Sequence, residues 1–189
     1  MNILNIFSII YELLISHTKI LKVMIKAFAQ MSCNHDQRPR KAKVPVPIAL
    51  NVNDAITGIE HFTSKDNSII RIKQSGLYFI IAAPQIGRKK GKSSRYVDVW
   101  MRKNGKDVPN SNIRANLNHG SSKDVLINQS MIPLTREDEL QVMMSVETGN
   151  EGLGLEAINP KGEPIIPSII LSMRMTEEYD ELLEDQIFV

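Results

Sequence analysis

Cysteine is almost absent from this chain. Cys33 is the only one in 189 residues, so no intrachain disulfide can form and the fold must stand on packing alone. A lone thiol is also a poor metal site. Of the four histidines, His17, His35, His61 and His119, none pairs at metal-ligand spacing and no His-x-His occurs. No glycine-rich phosphate loop runs from a strand into a helix, and no Gly-x-Ser-x-Gly nucleophile turn is present. Asp98 with Asp107, or Glu137 with Asp138, are pairs of carboxylates on paper, and exposed strand and turn charges account for them. The expectation is a protein with no catalytic residues, no metal and no cofactor.

Long apolar runs are missing too. The cleanest, Ile3 to Ile15, contains Glu12 and falls short of the roughly 18 residues a membrane-spanning helix needs. Aromatics make up 5% of the chain, which leaves Ile, Val and Met to fill a core. A net charge of +2 is too small to imply a polyanionic partner by itself. The charges are nevertheless uneven. Lys19 to Lys43 holds seven Lys or Arg against Asp36, and Glu177 to Asp185 holds six acids and no base. Such blocks read as solvated tails.

Among what is present, residues 1–31 carry a helical pattern. Phe7, Leu14, Leu21 and Phe28 repeat every seven residues, as do Ile10, His17, Met24 and Met31, at a and d positions of a heptad. Asn5, Glu12, Lys19 and Lys26 form the opposite polar stripe. This amphipathic helix suits a trimerising coil; a helix lying on a membrane surface or a chain starting at Met24 or Met31 are the other readings. Ala27-Phe28-Ala29 has the small-x-small form of a signal cleavage site, but Lys19, Lys22 and Lys26 sit where that signal should be apolar. Residues 32–45, polar and broken by Pro39 and Pro45, read as a linker.

From Val46 the apolar period changes from helical to two. Val46–Val52, Ser68–Lys73, Leu77–Ile86, Arg95–Lys103, Asn110–Leu117, Asp124–Ile132, Glu139–Glu147, Leu153–Ile158 and Ile165–Met175 are strand candidates, most of them separated by Gly, Pro, Asn or Asp. The pattern predicts an all-β, antiparallel two-sheet sandwich or barrel. Val97, Val99 and Met101 share one face, as do Leu140, Val142, Met144 and Val146, and Ile169, Leu171, Met173 and Met175; these are the expected core. Leu77–Ile86 differs, because it is apolar on both faces. A strand of that kind faces two cores, or one core and one subunit interface.

Read in order, these segments resemble the globular head of complement C1q, within the tumour-necrosis-factor-like jelly rolls. Ser75-Gly76-Leu77-Tyr78-Phe79 is similar to the family's P-G-x-Y-x-F strand, and Val97–Lys103 running into Asn104-Gly105 to its strand ending in K/R-N-G. Val125–Met131, Leu134 and Asp138-Glu139-Leu140-Gln141-Val142 resemble its L-x-x-G-D-x-V-x-L hairpin, and Ser168–Ser172 its closing strand. Trp100–Asn112 and Ile166–Leu171 look closest to C1q-like domains of phage, other viruses and bacteria. The resemblance spans Val46 to Met175. Two departures stand out: Glu137 replaces the usual Gly before the hairpin Asp, and no collagen-like stalk precedes the domain.

The resemblance implies a jelly-roll sandwich over 46–175; the heptad pattern puts a helix before it over 1–31 and the acidic block a tail after it over 176–189. It also implies a homotrimer that binds a protein or glycan ligand through outer loops, at a cell or virion surface or otherwise outside the cell. Tyr78, Ile80, Trp100 and Met143 are the expected interface residues. The densest charge cluster, Arg88, Lys89, Lys90, Lys92 and Arg95, is the candidate ligand-binding loop, and its plain alternative is a solvated connection. A polyanion-binding protein acting through residues 88–95, on an acidic glycan or a nucleic acid, is the second functional reading; of the recognition module no nucleic-acid partner is expected.

Overall fold

A computed structural model describes residues 10–12 and 26–178. Two antiparallel sheets of seven strands each enclose one core. The first contains β1 (Phe28–Cys33), β3 (Val52–Thr57), β6 (Gly76–Gly87), β10 (Lys123–Val125), β11 (Asn128–Leu134), β13 (Gly154–Leu155) and β14 (Ile169–Glu178). The second contains β2 (Val46–Pro47), β4 (Ile59–His61), β5 (Ile70–Ile72), β7 (Arg95–Lys103), β8 (Lys106–Asp107), β9 (Ile113–Leu117) and β12 (Glu139–Val146). The chain crosses from one sheet to the other repeatedly, so most neighbours in a sheet are distant in sequence. That winding makes a jelly-roll sandwich.

The faces follow the period-two pattern. Val97, Val99, Met101, Leu140, Val142, Met144 and Val146 are each no more than 2% exposed, and Ile169, Leu171, Met173 and Met175 no more than 3%. Asn128 ties the sheets together inside the core, its amide donating to the carbonyls of Val99 and Ser111 at 3.2 and 2.7 Å. Asn104 and Gly105, with φ of 49° and 76°, form the two-residue turn between β7 and β8. Left-handed backbone at both positions matches the twist of the flanking strands, which is why Asn-Gly is favoured there.

The N-terminal boundary differs from expectation. Residues 10–12 are helical and the rest of the expected helix up to residue 25 lies outside the described residues, but from Phe28 the chain is a strand. β1 lies between β14 and β3, pairing Phe28 with Arg174 and Thr57, with Ala29, Met31 and Cys33 buried. Residues 32–45 are packed on the sandwich too: Gln37 exchanges backbone hydrogen bonds with Leu155, and Lys43 N–H donates to Val146 at 2.7 Å. The sandwich thus starts near Ala27, well before Val46, and β14 carries it to Glu178. Helical spacing of Ala27 and Met31 hid an alternation of small and soft side chains that only the two flanking strands turn into a strand.

The expected jelly-roll hairpin forms despite Glu137. That residue has φ of 70°, the left-handed conformation that glycine adopts without cost. Asp138 closes the turn by accepting from the Thr135 N–H and hydroxyl, from the Asn104 amide and from Lys103.

Candidate functional site

β6 is twelve residues long, about 40 Å at the usual rise per residue, and it separates two ends of the molecule. At the Gly76 end lie the chain entry at Ala27, the Asn104-Gly105 turn, the 135–138 turn and the end of β14. At the Gly87 end gather the loops 34–43, 88–94, 118–122 and 147–153. The outer face of the first sheet and the Gly87 end bear on the expected interface and the expected binding loop.

The outer sheet face is built by the odd-numbered residues of β6. Tyr78, Ile80 and Ala82 are fully buried between the sheets, with the Tyr78 hydroxyl donating to the Gln74 carbonyl at 2.7 Å. Leu77, Phe79, Ile81 and Ala83 face outward and stay half-buried. Directly opposed residues share a face, so Met131, Phe79, Arg174 and Phe28 make one row across four strands. Phe28, Met131 and Ile170 are 43%, 55% and 40% exposed. A shallow groove of about 320 Å³ runs between Phe28, Ala55, Phe79, Ile81 and Arg174. A second, of about 510 Å³, runs along β11 between Met131, Pro133, Lys103 and Lys106.

None of the four residues expected at a subunit interface lies on this outer face. Tyr78 and Ile80 belong to the core. Trp100 and Met143 oppose each other on the second sheet, 8% and 2% exposed, with Pro47 beside Met143 and the indole N–H donating to Asp107 at 2.7 Å. A strand apolar on both faces announced a second apolar surface but not which face it was, because alternation is symmetric until a partner sheet covers one side. Phe28 lay in a segment read as helical and Ile170 on the face of Ile165–Met175 opposite its expected core residues, and exposure singles both out.

At the Gly87 end the five bases of residues 88–95 separate into two groups. Arg88, expected in the ligand-binding loop, is 1% exposed and anchors that loop from inside. Its guanidinium donates to the carbonyls of Lys90, Ser93 and Leu117 and is paired with Glu151. Arg95 lies 3.7 Å from Glu147 and 3.6 Å from Glu151, turned back onto the sandwich. Lys89, Lys90 and Lys92 point to solvent.

The acids of this end are held in the same way. Arg38 binds Asp36 at 3.0 Å and Glu156 at 2.9 Å, and Lys123 also reaches Glu156 at 2.9 Å. Burial alone would push both carboxyls up. The Arg38 and Ala157 hydrogen bonds hold Asp36 below its usual value, and Lys123 with Arg38 does the same for Glu156.

Among the described residues no group of three or more His, Cys, Asp or Glu could hold a metal ion, and no helix is long and apolar enough to cross a membrane.

The molecule is thus a jelly-roll sandwich with an apolar outer sheet face and a loop-bearing end remote from the chain entry. Among solved structures it is similar to the globular domain of zebrafish complement 1qA protein, with 10% identity and a TM-score of 0.48, over 82% of this chain and 100% of that one. No family model matches the sequence, and no curated protein does.

Proposed function

We propose that this protein is a non-enzymatic recognition and structural module that works as a homotrimer, with ligands met by the loops of the Gly87 end. The observation that carries the reading is the outer face of the first sheet. Phe28, Phe79, Ile81, Met131 and Ile170 lie together on a surface whose opposite side is already the core. Complete burial of one such side chain is worth about 1.5–3 kcal/mol. Several half-exposed ones together favour a sister copy over water, and contiguous apolar surface of this kind marks an interface.

The threefold count comes from the resemblance to C1q-like heads; the heptad spacing left before β1, Phe7, Leu14 and Leu21 with Ile10, His17 and Met24, is compatible with it. Chain entry at one end and free loops at the other suit a head held from below and displayed at its far end. Three copies display each loop three times, which turns weak contacts into avid ones. The same resemblance supports a location at a cell or virion surface or otherwise outside the cell.

Native mass spectrometry with light scattering tests the reading. The protein is expected as a trimer at micromolar concentration, and Phe28→Glu with Met131→Glu is expected to give a folded monomer with unchanged circular dichroism. A wild-type chain that stays monomeric at that concentration overturns it.

A further inference from the structure

The Gly87 end carries more free positive charge than the 88–95 loop supplies, and its source is the segment that reads in sequence as a linker. Arg40, Lys41 and Lys43 are exposed and, like Lys90 and Lys92, have no side-chain partner among the described residues. Lys89 is 63% exposed and only loosely matched to Asp36 at 3.6 Å.

One loop brings the two basic segments together. The Arg40 carbonyl and the Lys41 nitrogen pack so closely on Gly149 that a Cβ there would lie 1.8 Å from the Arg40 oxygen. Two residues on, the Glu151 carbonyl accepts from the backbone N–H groups of both Lys89 and Lys90, at 3.1 and 3.2 Å. Lys43 is pinned at the same end by its hydrogen bond to Val146. Asp36, Glu147, Glu151 and Glu156 all lie in ion pairs with Arg38, Arg88, Arg95 or Lys123. The acids that could neutralise the end are therefore spent on arginines and a lysine that hold its shape. Asp124 and Glu163 are the acids of the neighbouring β10 and 159–165 segments without a cation partner among the described residues.

We infer that Arg40, Lys41, Lys43, Lys89, Lys90 and Lys92 form a composite binding surface for a linear anionic polysaccharide bearing sulfate or carboxylate groups. This rests on the loop-end recognition reading above and supplies its ligand class. A glycan fits better than a nucleic acid because residues 36–43, 88–95, 118–123 and 147–153 contain no Phe, Tyr or Trp on which bases could stack. What remains is a set of charges on flexible stems above a fixed base, suited to regularly spaced anions rather than to base recognition.

The test is binding of a heparin-derived oligosaccharide to the full chain across a salt series, with a DNA duplex of matched charge alongside and the mass of each sample read by light scattering. Heparin is expected to bind with a log–log salt slope of about −4 to −5 if all six cations take part. Arg40→Ser/Lys41→Ser and Lys90→Ser/Lys92→Ser are each expected to flatten that slope by about 1.5, and Lys106→Ser/Arg136→Ser, an equal charge change at the Gly76 end, to leave it unchanged.

Equal losses from all three variants, or no binding, overturn the inference, and tighter binding of the duplex overturns the assignment to a glycan. The mass measurement keeps the two readings apart. A monomer that binds heparin in this pattern refutes the trimer and keeps the surface, whereas a trimer that ignores heparin does the reverse.

Discussion

Replacing Glu137 by Gly should stabilise the sandwich relative to replacing it by Ala. The backbone at this position has φ of 70°, which brings Cβ against the neighbouring carbonyl in any residue but glycine. That clash costs about 1–2 kcal/mol, and the greater freedom of glycine in the unfolded chain takes back about 0.5–1 kcal/mol. Both variants lose the carboxylate that stands 3.2 Å from Lys73, 3.8 Å from Arg136 and 4.0 Å from Arg71. That carboxylate is 56% exposed, so solvent leaves its pairs worth less than about 1 kcal/mol together.

The loss is common to both variants and cancels when they are compared. The Glu137 N–H bond to the Ile72 carbonyl, at 2.8 Å, survives in both because it is backbone. Glu137→Gly should therefore exceed Glu137→Ala by about 0.5–1 kcal/mol, or about 2 °C in midpoint for a domain of this size. Glu137→Asn should fall between them, since Asn tolerates the left-handed region. Urea unfolding at one fixed protomer concentration measures the difference, and equal m-values show that the unfolded state is unchanged. Gly and Ala variants of equal stability would refute the argument from backbone conformation.

Other perturbations have equally definite outcomes. Arg88→Met should destabilise by about 3–5 kcal/mol, because it strips the Lys90, Ser93 and Leu117 carbonyls and Glu151 of a buried partner, and calorimetry of the variant reads this directly. Asp138 is pushed up by burial but held below its ordinary value overall by Lys103, Thr135 and Asn104, so its share of stability is present above the unfolded carboxyl pKa of about 3.9 and is lost as pH falls below it. Unfolding midpoints between about pH 5 and pH 2 should fall with acid in the native chain and fall less in Asp138→Asn. A chain begun at Met31 loses half of β1 and with it the pairing of Phe28–Gln30 to β14 and β3; it should melt far below one begun at Met24, and equal melting would show that β1 is dispensable.

The core was legible because period-two alternation is a local property. Val97, Val99 and Met101, the even-numbered run of Leu140 to Val146, and Ile169 to Met175 each show their buried face in the sequence, and the fold places every one inside. Asn104-Gly105 announced its own turn by the same local logic. β1 was not legible, since FAQMSC is short, weakly apolar and continuous with heptad spacing; it becomes a strand only because β14 and β3 offer it two sets of backbone partners. β3, polar and at a sheet edge, was hidden for the same reason.

What the amino-acid order determined by itself, then, is an all-β sandwich without a disulfide, a two-faced apolar strand and a dense basic loop. Tertiary structure decided which way those features face. It chose Leu77, Phe79 and Ile81 over Tyr78 and Ile80 as the outward face, because the second sheet can cover only one side of β6. It also took Arg88 and Arg95 out of the basic loop and set Arg40, Lys41 and Lys43 beside what remained. Charge is countable in a sequence. Whether a charge is free depends on which acid the fold brings to it.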